Sequence, residues 1–134
     1  MLKDVLARLG PRVRFVFRNF PLTEVHPHAF QAAEAAESAA AQDRFWEMHD
    51  HLFENQRRLH RSDLLRYARE LGLDVERFTA DLTGHAYESR VRSDFLSGVR
   101  SGVNGTPTFY VNGVRHDDSY DSATLLGALQ QAAA

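Results

Sequence analysis

Residues 101–113 read SGVNGTPTFYVNG, two turn signals set around a short apolar run. Val103-Asn104-Gly105-Thr106-Pro107 is turn chemistry, and Thr108-Phe109-Tyr110-Val111 has the β-branched and aromatic composition of a strand. Asn112-Gly113 favours a tight type I′ turn, because both central residues of that turn need positive φ. Val114-Arg115-His116 supplies the returning strand. A β-hairpin entered through a proline is therefore expected.

Working outward, Asp121 or Ser122 is expected to cap a closing helix that carries Leu125, Leu126 and Leu129. Upstream of the hairpin, five helices are expected in succession. The first is alanine-rich, with eight alanines between Ala29 and Ala41. The second, from Arg44 to Gln56, repeats Phe45, Trp46, Met48, Leu52 and Phe53 at helical spacing, so these residues are expected in the core. Ser62 is expected to cap the third, which runs inward through Leu64, Leu65, Ala68 and Leu71 to Gly72. Asp74 caps the fourth, carrying Val75, Phe78 and Leu82, and the fifth follows from about His85 with Tyr87, Val91, Phe95 and Val99 four apart. Before the loop holding Pro21 and Pro27, the run Val13-Arg14-Phe15-Val16-Phe17 reads as a strand covered on both faces. Leu2, Val5, Leu6 and Leu9 form a short opening helix, ended by Gly10-Pro11.

Composition narrows the function classes. The chain has 134 residues and a formal net charge of −2, enough for one ordinary domain. Its 16 cations are interspersed with 18 anions, so no one-signed field argues for nucleic acid. Arg57, Arg58, Arg61, Arg66 and Arg69 have Asp63 and Glu70 among them and read as a solvated face. No apolar run is long enough to span a membrane. The first twenty residues lack the apolar segment of a secretory signal, so the chain as given is expected in the cytoplasm, with an extracytoplasmic location left open to a longer parent. With no cysteine, disulfides, thiolate metal sites and cysteine nucleophiles are all excluded from these residues.

The seven histidines do not fall at metal-ligand spacing. His26 and His28 flank a proline, while His49 and His51 lie two apart on a helix and point to different faces. No metal, no cofactor and no catalytic residue are expected. His49 is expected inside, beside Trp46 and Phe53 with a carbonyl on one ring nitrogen, and His51 and His60 in solvent.

Five blocks carry a resemblance: FRNFPL at 17–22, HPHAFQAAEAAE at 26–37, FWEMHDHLF at 45–53, LGLDVERF at 71–78 and SGVNGTPTFYVNG at 101–113. In order and spacing they resemble DsbA-like thioredoxin-fold domains, and the chain is similar to such domains found alone or fused to sodium/proton antiporters. The resemblance implies an α/β, thioredoxin-like fold: one domain over residues 1–134, with a DsbA-type helical insertion at about 27–101. Family members open with a strand leading into a CxxC motif. This chain begins inside the helix that follows, which points to truncation before the first helix, a fragment or a degenerate copy. A sheet so interrupted exposes ladder groups, and pairing with a second copy as a homodimer is an expectation from it.

For function, the resemblance implies a thiol–disulfide oxidoreductase acting on protein disulfides in its complete form, with the present chain redox-inactive. It also implies a cis-proline at Pro107, where Gly105, Thr106 and Pro107 contact an extended substrate peptide and Phe109 anchors the strand beneath. The plainer alternative is that Pro107 only shapes the turn into an edge strand. Two further readings stand beside the first: a redox-dead peptide-binding or regulatory module, and a relative of glutathione-dependent isomerases.

Overall fold

Alanine spacing sets the packing of the helical region in the computed structural model, which describes residues 2–23, 26–116 and 122–133. The chain divides into two compact units, residues 18–102 and residues 1–17 with 103–134. In the first, α2 (Ala29–Ala40) is followed by α3 (Phe45–Glu54), α4 (Arg61–Glu70), α5 (Val75–Thr83) and α6 (Glu88–Arg100). Helix α2 touches all four of the others. It can do so because Ala32, Ala35, Ala36 and Ala39 are buried without bulk, which lets neighbouring backbones come close. Met48, Leu64, Tyr67, Phe78 and Leu82 fill the core around it.

Glu34, Glu37 and Ser38 of α2 are matched to partners. Ser38 donates to Asp81 Oδ2 at 2.7 Å, and Asn19 Nδ2 donates to Glu37 Oε1 at 2.8 Å. Glu34, 2% exposed, meets His85 Nδ1 at 3.1 Å. Asn19 also donates its backbone N–H and its Nδ2 to Asp94 Oδ2, at 3.1 and 2.9 Å. One asparagine thereby ties residues 18–22 to α2 and α6, helped by Phe20 stacked 4.6 Å from Phe95. Such satisfaction is what burial of these groups requires.

Three expectations are corrected in this unit. Helix α4 starts at Arg61, its N-cap is His60 rather than Ser62, and the Asp63 carboxylate accepts from the His60 backbone N–H at 3.2 Å. A carboxylate at the third helical position reaching back to the cap favours that earlier start over a serine hydroxyl. Trp46 and Phe53 lie outside the core, 44% and 57% exposed, while Met48 from the same set is fully buried. His51 is half-buried, with Nε2 3.3 Å from Glu70 Oε2 and Nδ1 3.2 Å from the Glu47 carbonyl. The cap at Asp74 is as expected, its Oδ1 accepting from Arg77 N at 3.1 Å.

In the other unit, α1 (Leu2–Leu9) runs into a 3-10 turn, Gly10–Arg12. Strands β1 (Tyr110–Val111) and β2 (Val114–Arg115) pair antiparallel, Tyr110 opposite Arg115 and Val111 opposite Val114. The turn between them has Asn112 at φ 48° and Gly113 at φ 82°, the pair of positive values that defines the I′ hairpin. Helix α7 (Ser122–Ala133) closes the chain. Val5, Leu9 and Leu125 are buried together, with Val13, Phe109, Val111, Leu126 and Leu129 packed around them. The expected cap residue Asp121 lies outside the described residues.

Residues 13–17 are not the two-faced strand expected of them. Their burial alternates, Val13, Phe15 and Phe17 half-buried and Arg14 and Val16 exposed, with Val16 at 57%. The sheet among the described residues consists of β1 and β2 alone. A strand needs a paired neighbour to form its ladder, and among the described residues no ladder includes 13–17, so an apolar extended sequence stands there without being a strand.

Candidate functional site

The proline-entered loop is built by local hydrogen bonding. Thr108 Oγ1 donates to the Gly105 carbonyl at 2.6 Å, closing a turn across Thr106 and Pro107. The Thr106–Pro107 peptide bond is cis, as the resemblance implies. Thr106 and Pro107 are exposed and Gly105 is half-buried. Beyond the turn, the Phe109 side chain packs on Val5, Leu9 and Leu125, and its carbonyl accepts from His116 N at 2.8 Å. Apolar packing beneath and a cross-strand bond on one side thus hold the loop in a fixed place.

The four residues of the expected peptide site, three in contact and Phe109 beneath, are therefore neighbours with different surroundings. Phe109 faces the buried cluster, whereas Thr106 and Pro107 are at the surface. A Cβ built on Gly105 meets no atom within 4 Å, so the absence of a side chain leaves open space beside that backbone. Backbone polar groups, a small residue and an exposed ring are the materials of recognition; the chain has no cysteine to form a mixed disulfide.

The histidines fall in separate environments. His49 lies beside Trp46 and Phe53 as expected, ring centroids 5.2 and 4.4 Å away, and its Nδ1 is 3.3 Å from Asp50 Oδ1. His28 and His60, both exposed, bring their rings to 4.5 Å centroid separation. Sequence spacing missed that pair because 32 residues separate its members. It missed the Asn19–Glu37–Asp94 and Glu34–His85 contacts for the same reason. No group of three or more His, Asp or Glu able to hold one ion occurs among the described residues.

A helix-rich domain with a small hairpin entered through a cis-proline is of the thioredoxin-like class. A thioredoxin family model matches residues 4–131, and the chain belongs to the thioredoxin family. It is similar to the Na(+)/H(+) antiporter NhaA 3 of Salinispora tropica, 49% identical over 120 residues, which are 90% of this chain and 18% of that protein. Na(+)/H(+) antiporter NhaA of Herminiimonas arsenicoxydans is 46% identical over 127 residues, 95% of this chain and 20% of the relative. Na(+)/H(+) antiporter NhaA 1 of Mycobacterium sp. (strain KMS) is 44% identical over 131 residues, 96% of this chain and 21% of the relative. The chain thus spans about a fifth of the length of these curated relatives. No solved structure matches it. Among the described residues, no helix is long and apolar enough to cross a membrane.

Proposed function

We propose that this chain holds an extended segment of a protein substrate along the loop Gly105-Thr106-Pro107, with Phe109 anchoring the strand below. The complete domain, in this reading, is a DsbA-like thiol–disulfide oxidoreductase in which α2–α6 form the helical insertion and a thiolate outside these residues attacks the substrate disulfide. The observation that carries it is the pairing of an exposed Thr106-Pro107 surface with a fixed base, Phe109 packed on Val5, Leu9 and Leu125. A peptide in extended form gains affinity from main-chain hydrogen bonds along such a segment.

The relatives named as antiporters favour a second reading of the same surface. Here the domain is a redox-dead module that holds a peptide beside a membrane transporter and regulates it by occupancy. Both readings require binding at the loop. They part on whether a thiol accompanies the domain in its longest natural form.

Gly105→Ala tests the shared claim. Open space around the added Cβ leaves the fold intact, so the melting temperature stays that of the parent. At a close backbone contact an extra methyl costs about 1–3 kcal/mol, and calorimetric binding of extended peptides is expected to weaken about tenfold. Unchanged affinity with an unchanged melt overturns the assignment of the loop. Insulin reduction by the 134-residue chain is expected to be absent, because it carries no thiol.

A further inference from the structure

We propose that His28 and His60 form a two-imidazole site for a divalent transition-metal cation of the copper, nickel and zinc group. The rings come from different helices, His28 at the N-cap of α2 and His60 at the N-cap of α4. Their centroids are 4.5 Å apart with planes inclined at 60°. A metal ~2.0–2.1 Å from one nitrogen of each ring, with the two bonds at right angles, holds imidazole centroids about 4.5 Å apart. The observed separation matches that of two cis ligands on one ion, reached by turning the two rings so that one nitrogen of each faces it.

The surroundings permit such a site. Both residues are exposed, so a hydrated cation can approach and keep water on its remaining positions. Each backbone is fixed by the helix it starts: the His28 carbonyl accepts from Ala32 N and the His60 carbonyl from Leu64 N, both at 3.0 Å. Asp63, whose carboxylate accepts from the His60 backbone N–H at 3.2 Å, lies within one turn and shares its charge with Arg66, 3.3 Å away. The positive ends of two helix dipoles oppose a dication here. Imidazole ligands suit zinc, copper and nickel, whereas magnesium and calcium prefer oxygen donors. The carboxylates bonded to Asn19 and to Ser38, and Glu34 against His85, are already satisfied within the fold.

The test uses protein without a polyhistidine tag, titrated calorimetrically with zinc, and copper(II) bound for electron paramagnetic resonance. One ion per chain and a two-nitrogen copper spectrum are expected. His28→Asn and His60→Asn keep a good N-cap residue, so each variant folds. Each loses one arm of a chelate, for which the expected loss of zinc affinity is about a hundredfold. His51→Asn serves as the control and retains the parent affinity. Zinc also raises the melting temperature of the parent and of neither variant, because it binds the folded pair. Affinity equal to the parent in either variant, or no one-to-one binding at all, overturns the proposal.

Discussion

In residues 18–102 the apolar side chains close around one alanine-rich helix, and Met48, Leu64, Tyr67, Phe78 and Leu82 are each at most 2% exposed. In residues 1–17 with 103–134, Val5, Leu9 and Leu125 are buried to a similar degree, but Val13, Phe109, Val111, Leu126 and Leu129 around them are only partly covered. The first region has the larger buried interior, although Trp46, Phe53, Leu96 and Val99 remain exposed outside it. The second uses a smaller interior to support an exposed loop. If the loop binds as proposed, stability and recognition are drawn from different parts of one chain, as expected where binding elements come from less deeply packed structure.

Phe78→Ala should break the helical region hardest. Phe78 is fully buried among α2, α4 and α5 residues, and removal of such a ring costs about 3–5 kcal/mol, measurable as a lower urea midpoint. Leu125→Ala strikes the smaller cluster and should cost about 2–3 kcal/mol, near the low end for leucine because its neighbours are only partly covered. Hydrogen exchange sharpens the contrast: Leu125→Ala should speed exchange in α1, α7 and the hairpin more than in α2 and α5. Equal acceleration everywhere contradicts a distinction between the regions. Asp74→Ala removes the acceptor of the Arg77 N–H at the start of α5 and should cost about 1 kcal/mol, read as a small midpoint shift with unchanged m-value.

Local rules carried most of the helical boundaries and the hairpin into view from sequence. Asn112-Gly113 demanded its turn, Asp74 its cap, and the alanines their helix. What local rules could not supply was partner choice. The apolar set on α3 is wider than one face: Phe45, Met48 and Leu52 follow the three-and-four spacing inward, whereas Trp46 and Phe53, seven apart, share a neighbouring stripe. Residues 13–17 have strand composition, yet a ladder depends on a neighbour that composition does not name. Of the candidate site, the order Gly105-Thr106-Pro107-Phe109 was legible, since it lies in one continuous stretch. The ring pair of His28 and His60 was not, because only the packing of α2 against α4 joins it.

Backbone nuclear magnetic resonance of the chain, titrated with an unlabelled extended peptide, tests the central claim most directly. The account predicts shift changes concentrated at residues 104–110, with none of comparable size in α2–α6. Saturable changes confined to the helices, with residues 104–110 unmoved, would contradict it.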